Sequence, residues 1–199
     1  MLWPLIFVVS ASFSDPNAVW SGEVILFPKG FNLNGYLHVY RHNAVWIGYK
    51  NTIIYTFFGT LLNVVLTVCA AYPLSRSDFK PRKIITILLV FTMYFNGGLI
   101  PTYLVVNGLG LVNTRLAMIL PTAISMFNVI ITRTYFQTNI PPSLQDAADI
   151  DGFNTLQYLM KIVIPLSKPV LAVIALYYGI FHWNSYFNTA YFTGYTHTK

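Results

Sequence analysis

Apolar residues are grouped into four long runs, which shorter polar or cationic stretches separate. The runs cover residues 52–74, 84–106, 116–136 and 169–187. Because an α-helix needs about 20 consecutive apolar residues to cross the hydrocarbon core of a bilayer, each run predicts a transmembrane helix. The apolar segment 1–13 is too short to cross alone, and we interpret it as the end of a further span. The pattern predicts an all-α, polytopic membrane protein.

Several residues inside these runs indicate local irregularities. Gly97, Gly98 and Pro101 in the second run and Pro121 in the third favour a break or kink in the helix. Asn63 is the one strongly polar side chain of the first run. Polar side chains in membrane helices find partners on neighbouring helices, so we expect Asn63 to face another helix.

Residues 141–168 form the longest polar interval between the runs, and we expect two short helices joined by a turn there. Ser143 and Asp146 have the spacing of a capping box that begins the first helix. The pair Asp151 and Gly152 predicts the end of that helix, because Gly readily adopts the left-handed conformation.

The second short helix of this interval has its own boundary signals. Asn154 and Gln157 have the spacing of another capping box. Pro165 and Pro169 are expected to end this helix and to open the following span.

The composition excludes an ordinary soluble domain and indicates the lipid bilayer as a partner. Hydrophobic residues make up 55% of the chain and charged residues 9%, whereas about a quarter of the residues in soluble domains are charged. The net charge of +6 is spread along the chain, so we expect no nucleic acid partner. The single cysteine, Cys69, excludes an internal disulfide.

The distribution of cations predicts how the chain is oriented. Cations in short loops mark the cytoplasmic side of a membrane protein. Those of this chain are concentrated at Arg76, Lys80, Arg82, Lys83, Arg133, Lys161 and Lys168. We therefore expect loops 75–83 and 137–168 in the cytoplasm and residues 14–50 outside.

The interval 141–168 also carries a family resemblance. The interval contains a pattern that resembles the EAA signature of ABC importer permeases. The pattern is Asp146-Ala147-Ala148, then three residues, Gly152, nine residues and the sequence IVIP, which ends at Pro165. Asp146 stands in place of the usual Glu and keeps its charge. The flanking residues are most similar to the carbohydrate-uptake branch, which contains the inner-membrane subunits of the maltose transporter. The resemblance implies a MetI-like fold, usually with six spans, so we expect this chain to be truncated at both ends.

In that family the interval corresponding to 141–168 is a coupling loop, which docks into a groove on a cytoplasmic ABC ATPase subunit. The coupling residues that the resemblance implies are Asp146, Ala147, Ala148, Asp151, Gly152, Phe153, Leu156 and Pro165. The resemblance also implies a second, homologous permease subunit and an extracellular or periplasmic solute-binding protein. An oligosaccharide or other carbohydrate would be transported by alternating access, driven by the separate ATPase.

The sequence contains no catalytic constellation, and we expect the chain not to be an enzyme. It has no GxxxxGK[ST] loop for nucleotide phosphates, so we expect ATP to bind the partner subunit and no cofactor to bind here. Asp146, Asp149 and Asp151 lack the Gly and the closing Glu of a calcium loop, and we expect no metal site.

Candidate substrate contacts are aromatic and amide side chains near a helix break or near the end of a span. They are Tyr94, Asn96, Trp183 and Asn184. Discontinuous helices often hold substrates in transporters, whereas aromatic residues in membrane helices more commonly pack or anchor at the interface.

The sequence leaves two alternative functions. An ABC permease for another solute, such as a peptide or a phosphonate, would share the coupling loop. An ion-coupled secondary transporter usually carries an ionisable group within the membrane. No acidic, basic or histidine residue lies in residues 52–74, 84–106 or 169–181.

Overall fold

The structure is a computed structural model, and it describes residues 2–95 and 97–185. Within these ranges every regular element is a helix, so the predicted all-α class is confirmed. The chain divides into two compact units, Met1–Asn51 and Thr52–Lys199.

The first unit contains three short helices and the beginning of a fourth. The short helices are α1 (Leu2–Ser12), α2 (Pro16–Trp20) and α3 (Asn34–Arg41). Asp15 caps α2 by accepting from the Asn17 amide at 2.8 Å. Pro16 occupies the first helical position, where its missing N–H leaves no bond unmade. Ser10 donates to the Leu26 carbonyl at 2.6 Å and ties α1 to the loop after α2.

The second unit is built around long apolar helices and a group of short helices. In chain order the elements are α4 (Asn43–Ser75), α5 (Arg82–Tyr94), α6 (Leu99–Gly108), α7 (Leu116–Ile119), α8 (Met126–Asn139), α9 (Pro142–Ile150), α10 (Thr155–Tyr158), α11 (Ile164–Leu166) and α12 (Lys168–Trp183). Helix α4 begins in the first unit and continues into the second.

Helix α4 is long and apolar enough to cross a membrane by itself. Three bent pairs reach the same length and hydropathy when each pair is counted as one span. They are α5 with α6, α7 with α8, and the helical segment 155–166 with α12. By length and composition the described residues therefore contain one span, or up to four if each bent pair crosses.

Helix α4 begins at Asn43, well before the predicted residue 52. Tyr49, Lys50 and Asn51 are polar, so hydropathy excludes them from a span, yet none of them prevents helical hydrogen bonding. Hydropathy identifies the part of a helix that lipid can cover and not the point where the helix begins.

Both predicted interruptions are present. Helix α5 ends at Tyr94 and α6 begins at Leu99, after Gly98 with a φ of +84°, a conformation that Gly adopts readily. After α7 the chain tightens into a 3-10 turn at Leu120–Thr122, which contains Pro121. The helix axis changes direction by 54° between the segment Leu116–Thr122, which includes α7 and this turn, and α8.

The core of the second unit lies where α4, α8 and α12 meet the interval 141–168. The buried apolar residues of this core are Val68, Ala71, Tyr72, Leu74, Val129, Phe136, Ala148, Tyr158, Leu159, Val163, Val170 and Ile174. Because all four segments contribute, the interval is packed firmly against the long helices.

Candidate functional site

The first helix of the interval, α9, begins at a pair of prolines. Pro141 is the N-cap, with an extended ψ of 139° that suits a residue before proline, and Pro142 is the first helical residue. The predicted capping box of Ser143 and Asp146 is therefore wrong. Both residues lie inside the helix, and no side chain caps its beginning. The fixed φ of Pro142 is helical, so the helix begins at Pro142, two residues before the first helical residue that a Ser143 cap would give.

Helix α9 ends in a tight turn around Gly152. Gly152 has a φ of +74° and adopts the predicted left-handed conformation. The Gly152 amide donates to the Asp149 carbonyl at 3.2 Å, and the Phe153 amide donates to the Ala148 carbonyl at 2.9 Å. These two bonds form a Schellman motif, which fixes the direction in which the chain leaves the helix.

The second helix of the interval begins as predicted. Asn154 Oδ1 accepts from the Gln157 amide at 2.8 Å, and Gln157 Oε1 accepts from the Asn154 amide at 3.0 Å, so the capping box is complete. A π-helical turn at Leu159–Val163 leads into α11, which ends at Leu166, so the helical segment ends one residue after Pro165, close to the predicted boundary. The wider turn accommodates the ring and the missing N–H of Pro165. Pro169 lies in the first turn of α12, as predicted.

Most of the predicted coupling residues of the interval are exposed. They are Asp146, Ala147, Asp151, Gly152, Leu156 and Pro165. Leu156 is 68% exposed, and Ile150, which we did not predict from the sequence, is 87% exposed. These two aliphatic side chains lie on either side of the Gly152 turn and are open to contact by another protein.

Two of the predicted coupling residues face the chain itself. Ala148 is buried in the core between the interval and the long helices. Its small side chain therefore permits close packing within the chain and cannot enter a groove on a partner. Phe153 is half-buried, and the Lys161 ammonium lies 5.2 Å from the centroid of its ring, which is a cation–π contact.

The cationic loop 75–83 contacts the end of α4 and is held by Arg76. Arg76 donates to the Asp78 carboxylate through Nε at 2.9 Å and through Nη2 at 2.8 Å, and its Nη1 donates to the Tyr72 hydroxyl at 3.0 Å. The bonds from Arg76 hold the pKa of the Asp78 carboxyl below its usual value. The Tyr72 ring lies 6.5 Å from the ring of Tyr158, whose pKa is raised by burial. Tyr72 thus links this loop to the interval 141–168.

Side chains of α8 complete the end of α4. Arg133 Nε donates to the Leu74 carbonyl at 3.0 Å, and Gln137 Nε2 donates to the Ser75 carbonyl at 3.2 Å. The last carbonyls of a helix have no partner within the helix. These bonds therefore fix the end of α4 against α8.

A buried polar cluster lies farther along the long helices. Asn63 Nδ2 on α4 donates to the Thr122 carbonyl at 3.2 Å and lies 3.1 Å from Nε2 of His182 on α12. Asn63 therefore faces another helix, as predicted.

Tyr178 makes the second contact of this cluster. Its hydroxyl lies 2.7 Å from Thr67 Oγ1 and accepts from the Ser125 amide at 3.0 Å. Ser125 follows the 3-10 turn after α7, and a break in a helix leaves backbone groups without partners. Asn63 and Tyr178 satisfy one carbonyl and one amide at this break.

We did not predict His182 and Tyr178 as site residues. A weak signal was present on α4, where Thr56, Thr60, Asn63 and Thr67 recur with helical spacing on one face. Such a face predicts that a helix packs through polar contacts. The sequence does not reveal which helix lies opposite.

The family of the chain follows from comparison with known proteins. Residues 44–197 match the binding-protein-dependent transport system inner membrane component family. The chain belongs to this family. Its members are permease components of transport systems, so the predicted membership of the ABC importer permeases is confirmed.

Two curated relatives and one solved structure illustrate the likeness. The chain is 44% identical to the polygalacturonan/rhamnogalacturonan transport system permease protein of Bacillus subtilis (strain 168), over 92% of this chain and 64% of that protein. It is 32% identical to the melibiose/raffinose/stachyose import permease protein of the same organism, over 81% of this chain and 60% of that protein.

The solved structure is that of a bacterial ABC transporter involved in the import of the acidic polysaccharide alginate. One chain of it superposes with a TM-score of 0.87 at 39% identity, over 92% of this chain and 65% of that chain. The predicted permease fold is thereby confirmed. The chain spans less than two thirds of the length of each of these relatives.

Three of the four candidate substrate contacts lie within the described residues, at the ends of two different helices. Tyr94 ends α5 and is 75% exposed, whereas Trp183 ends α12 and is 52% exposed. Asn184 Nδ2 donates to the Ile180 carbonyl at 2.8 Å and so is used within its own helix end. Asn96 lies outside the described residues. Among the described residues, no hydrogen bond or ring contact joins Tyr94 to Trp183 or Asn184.

Proposed function

We propose that this permease chain is the membrane-spanning subunit of an ATP-driven importer for an oligosaccharide or related carbohydrate. The names of its relatives support this substrate class, since they refer to polygalacturonan, rhamnogalacturonan, melibiose, raffinose and stachyose. The transporter whose solved structure it resembles is involved in the import of alginate, another carbohydrate.

The partners follow from the same proposal. A cytoplasmic ABC ATPase subunit binds and hydrolyses ATP, and this chain binds no cofactor and catalyses no reaction. A second, homologous permease lines the path with it, and an extracellular or periplasmic solute-binding protein delivers the carbohydrate. The lipid bilayer covers the large exposed side chains of α4, such as Phe57, Phe58, Leu61 and Val65.

The interval 141–168 is the element that docks on the ATPase. The observation that carries this role is an exposed aliphatic surface, Ile150 and Leu156, on a turn that Gly152 and the complete capping box make rigid. Ala148 and Tyr158 pack the opposite side of the same element into the core. A displacement of the docked surface is therefore transmitted to the long helices.

Transport by this arrangement is alternating access. When ATP closes the ATPase dimer, the docked intervals of the two permeases move together. Because each interval packs on α4, α8 and α12, the helices rock and open the path to the outside. Loops 75–83 and 137–168 lie in the cytoplasm and residues 14–50 outside in this proposal.

Substitution of Gly152 tests the docking role. At a φ of +74° a side chain with a branched Cβ is strained, although nothing lies within 4 Å of the Cβ position. We expect Gly152→Val to distort the turn and to abolish uptake while membrane insertion continues. Gly152→Asn is the matched control, because Asn tolerates the left-handed region, and we expect it to keep most of the uptake.

Uptake is measured in cells that express the complete transporter, with oligogalacturonides and raffinose as separate probes. The amount of permease in the membrane fraction is determined in parallel. Normal uptake by Gly152→Val at a normal membrane level would contradict the docking role. If the wild-type transporter takes up neither probe, the proposed substrate class for the chain is contradicted.

A further inference from the structure

A cavity of about 240 Å³ lies between the interval 141–168 and the ends of α4 and α8. Gln145 on α9 and Tyr158 on α10 form its wall on the side of the interval. Tyr72, Ser75 and Gln137 belong to the wall on the side of the long helices. Sites for drug-sized molecules enclose about 300–1,000 Å³, so this cavity takes a smaller ligand. It faces the cytoplasm in the proposed orientation.

Two polar groups on the wall of the interval are available to a ligand. The Tyr158 hydroxyl and the Gln145 amide make no hydrogen bond within the described part of the chain. Tyr158 is only 5% exposed, yet its hydroxyl is not sealed from solvent. Because Tyr158 lines the cavity, a partner for this hydroxyl reaches it through the cavity.

Arg76 also lines the cavity and supplies further donors. A guanidinium has five N–H groups. Arg76 uses three of them, two toward the Asp78 carboxylate and one toward the Tyr72 hydroxyl, so two remain. A hydroxyl group of a ligand both accepts and donates hydrogen bonds, and it can therefore bind the guanidinium, the phenol or the amide.

The charges around the cavity favour a neutral ligand. Burial raises the pKa of Tyr158 most, and the carboxylates of Asp149 and Asp146 raise it further, so the hydroxyl stays protonated. The same two carboxylates disfavour an anion in the cavity, and the guanidinium of Arg76 disfavours an ammonium group. A small, uncharged molecule with several hydroxyls is the ligand that these groups select.

We propose that this cavity binds one neutral sugar ring from the cytoplasm and that the bound sugar slows further import. The inference rests on the proposed function, which brings carbohydrate to this side of the membrane. The ring hydroxyls bind Tyr158 and Gln145 together. The rings of Tyr72 and Tyr158, whose centroids lie 6.5 Å apart, add apolar surface for the C–H groups of the sugar.

The position of the cavity connects binding with transport. One wall belongs to the element that docks on the ATPase, and the other belongs to the helices that rock. A ligand that contacts both walls stabilises the conformation in which the walls have their present separation. Every step of the cycle that changes this separation is then slower. Imported carbohydrate thus limits its own accumulation.

Labelling of a thiol in the cavity tests the site without transport. The complete transporter with Cys69→Ala and Ser77→Cys, in inside-out vesicles, is treated with N-ethylmaleimide with and without galactose. Ser77 lines the cavity and is exposed, so the reagent reaches the thiol and a bound sugar covers it. We expect galactose to slow this reaction. Ser143→Cys is the matched control and should be unaffected, because Ser143 is exposed in the same interval but outside the cavity.

Two substitutions in the Ser77→Cys chain identify the contacts. Tyr158→Phe and Gln145→Leu each remove a group that has no partner in the described part of the chain, so a purely structural role predicts no effect on protection. We expect each to raise the galactose concentration for half-protection about tenfold, through the loss of one hydrogen bond. Tyr103→Phe, which removes a hydroxyl on α6 outside the cavity, should leave that concentration unchanged.

Uptake tests the effect on import. Raffinose uptake by the reconstituted transporter is measured with galactose on the side of the ATPase and is expressed relative to the uptake of the same variant without galactose. We expect galactose to lower uptake, and half-inhibition to need about tenfold more galactose in Tyr158→Phe and in Gln145→Leu. Equal inhibition of these variants and of the wild type would place the effect elsewhere and overturn the regulatory role.

The other outcomes separate this site from the proposed function. Failure of galactose to protect Ser77→Cys would overturn the site and leave the function intact. Stronger protection by galacturonate than by galactose would overturn the neutral ligand, since the carboxylate distinguishes the two sugars. Slow labelling that removal of the ATPase subunits reverses, with no effect of galactose, would assign the cavity to the ATPase. If the wild-type transporter imports neither raffinose nor oligogalacturonides, the proposed function fails, whatever the labelling shows.

Discussion

At the scale of single residues, Gly59 shows how closely α4 and α12 approach. A Cβ built on Gly59 would lie 2.6 Å from His182 Nε2 and 2.7 Å from its Cε1, distances that real contacts do not reach. His182 is buried and lies 3.1 Å from Asn63 Nδ2, so its ring cannot move without losing that contact. The absent side chain at Gly59 is therefore part of the helix contact.

Gly59→Ala is expected to destabilise the protein. The added methyl group forces the His182 ring aside, and overpacking of this kind costs about 1–3 kcal/mol. The measurement is the thermal unfolding of the detergent-purified transporter. Gly179→Ala is the matched control, because its Cβ would meet only Thr60 Oγ1 at 3.8 Å, an ordinary contact. Equal unfolding temperatures for the two variants would show that the close approach has no energetic importance.

At the scale of helices, the break between α7 and α8 is stabilised by side chains of two other helices. Asn63 from α4 binds the Thr122 carbonyl, and Tyr178 from α12 binds the Ser125 amide. Backbone groups at membrane depth have no water to bind, so a break persists only where other groups of the protein satisfy them. The bend therefore depends on the positions of both α4 and α12.

Tyr178→Phe is expected to loosen this break. The substitution keeps the ring but leaves the Ser125 amide unpaired, which costs about 1–3 kcal/mol. Hydrogen–deuterium exchange of the segment 120–126 should become faster in the purified transporter. Tyr103→Phe serves as the control, since no hydrogen bond to the Tyr103 hydroxyl is found in the described part of the chain. Unchanged exchange in Tyr178→Phe would exclude a supporting role for the hydroxyl.

Local signals predicted some helix boundaries and failed at others. The helix end predicted at Gly152 and the capping box predicted for Asn154 and Gln157 were confirmed, because these hydrogen bonds join residues only a few positions apart in the sequence. The Ser143 capping box was wrong because Pro142 supplies a stronger signal for the helix start. The predicted helix end at Pro165 was close, since the chain passes through a π-helical turn and the helical segment ends one residue later, at Leu166.

At the scale of the whole molecule, the sequence predicted the helical class and the apolar runs, because both follow from composition and period. It did not predict that Ala148 faces inward or that His182 meets Gly59. Those contacts join residues far apart in the chain, and a single sequence contains no signal for them. The proposed docking surface was therefore predicted as a segment, while the distinction between its buried and its exposed residues required the structure.

The orientation in the membrane is a property of the whole chain and provides the last prediction. Short loops rich in Lys and Arg remain on the cytoplasmic side, because their transfer across the membrane is unfavourable. We therefore expect Ile150, which is 87% exposed, to face the cytoplasm and Trp20, which is 90% exposed, to face outside. In a chain with Cys69→Ala, a membrane-impermeant maleimide should label Trp20→Cys in intact cells. It should label Ile150→Cys only after the membrane is permeabilised.

Each labelled position is the control for the other. Labelling of Trp20→Cys shows that the reagent reaches the cell surface, and labelling of Ile150→Cys after permeabilisation shows that its thiol is reactive. Addition of the purified ATPase subunit to inside-out vesicles should then protect Ile150→Cys, because docking covers the exposed aliphatic surface. Labelling of Ile150→Cys in intact cells would show that the orientation is the opposite of the predicted one. In that orientation no cytoplasmic ATPase could reach the interval 141–168.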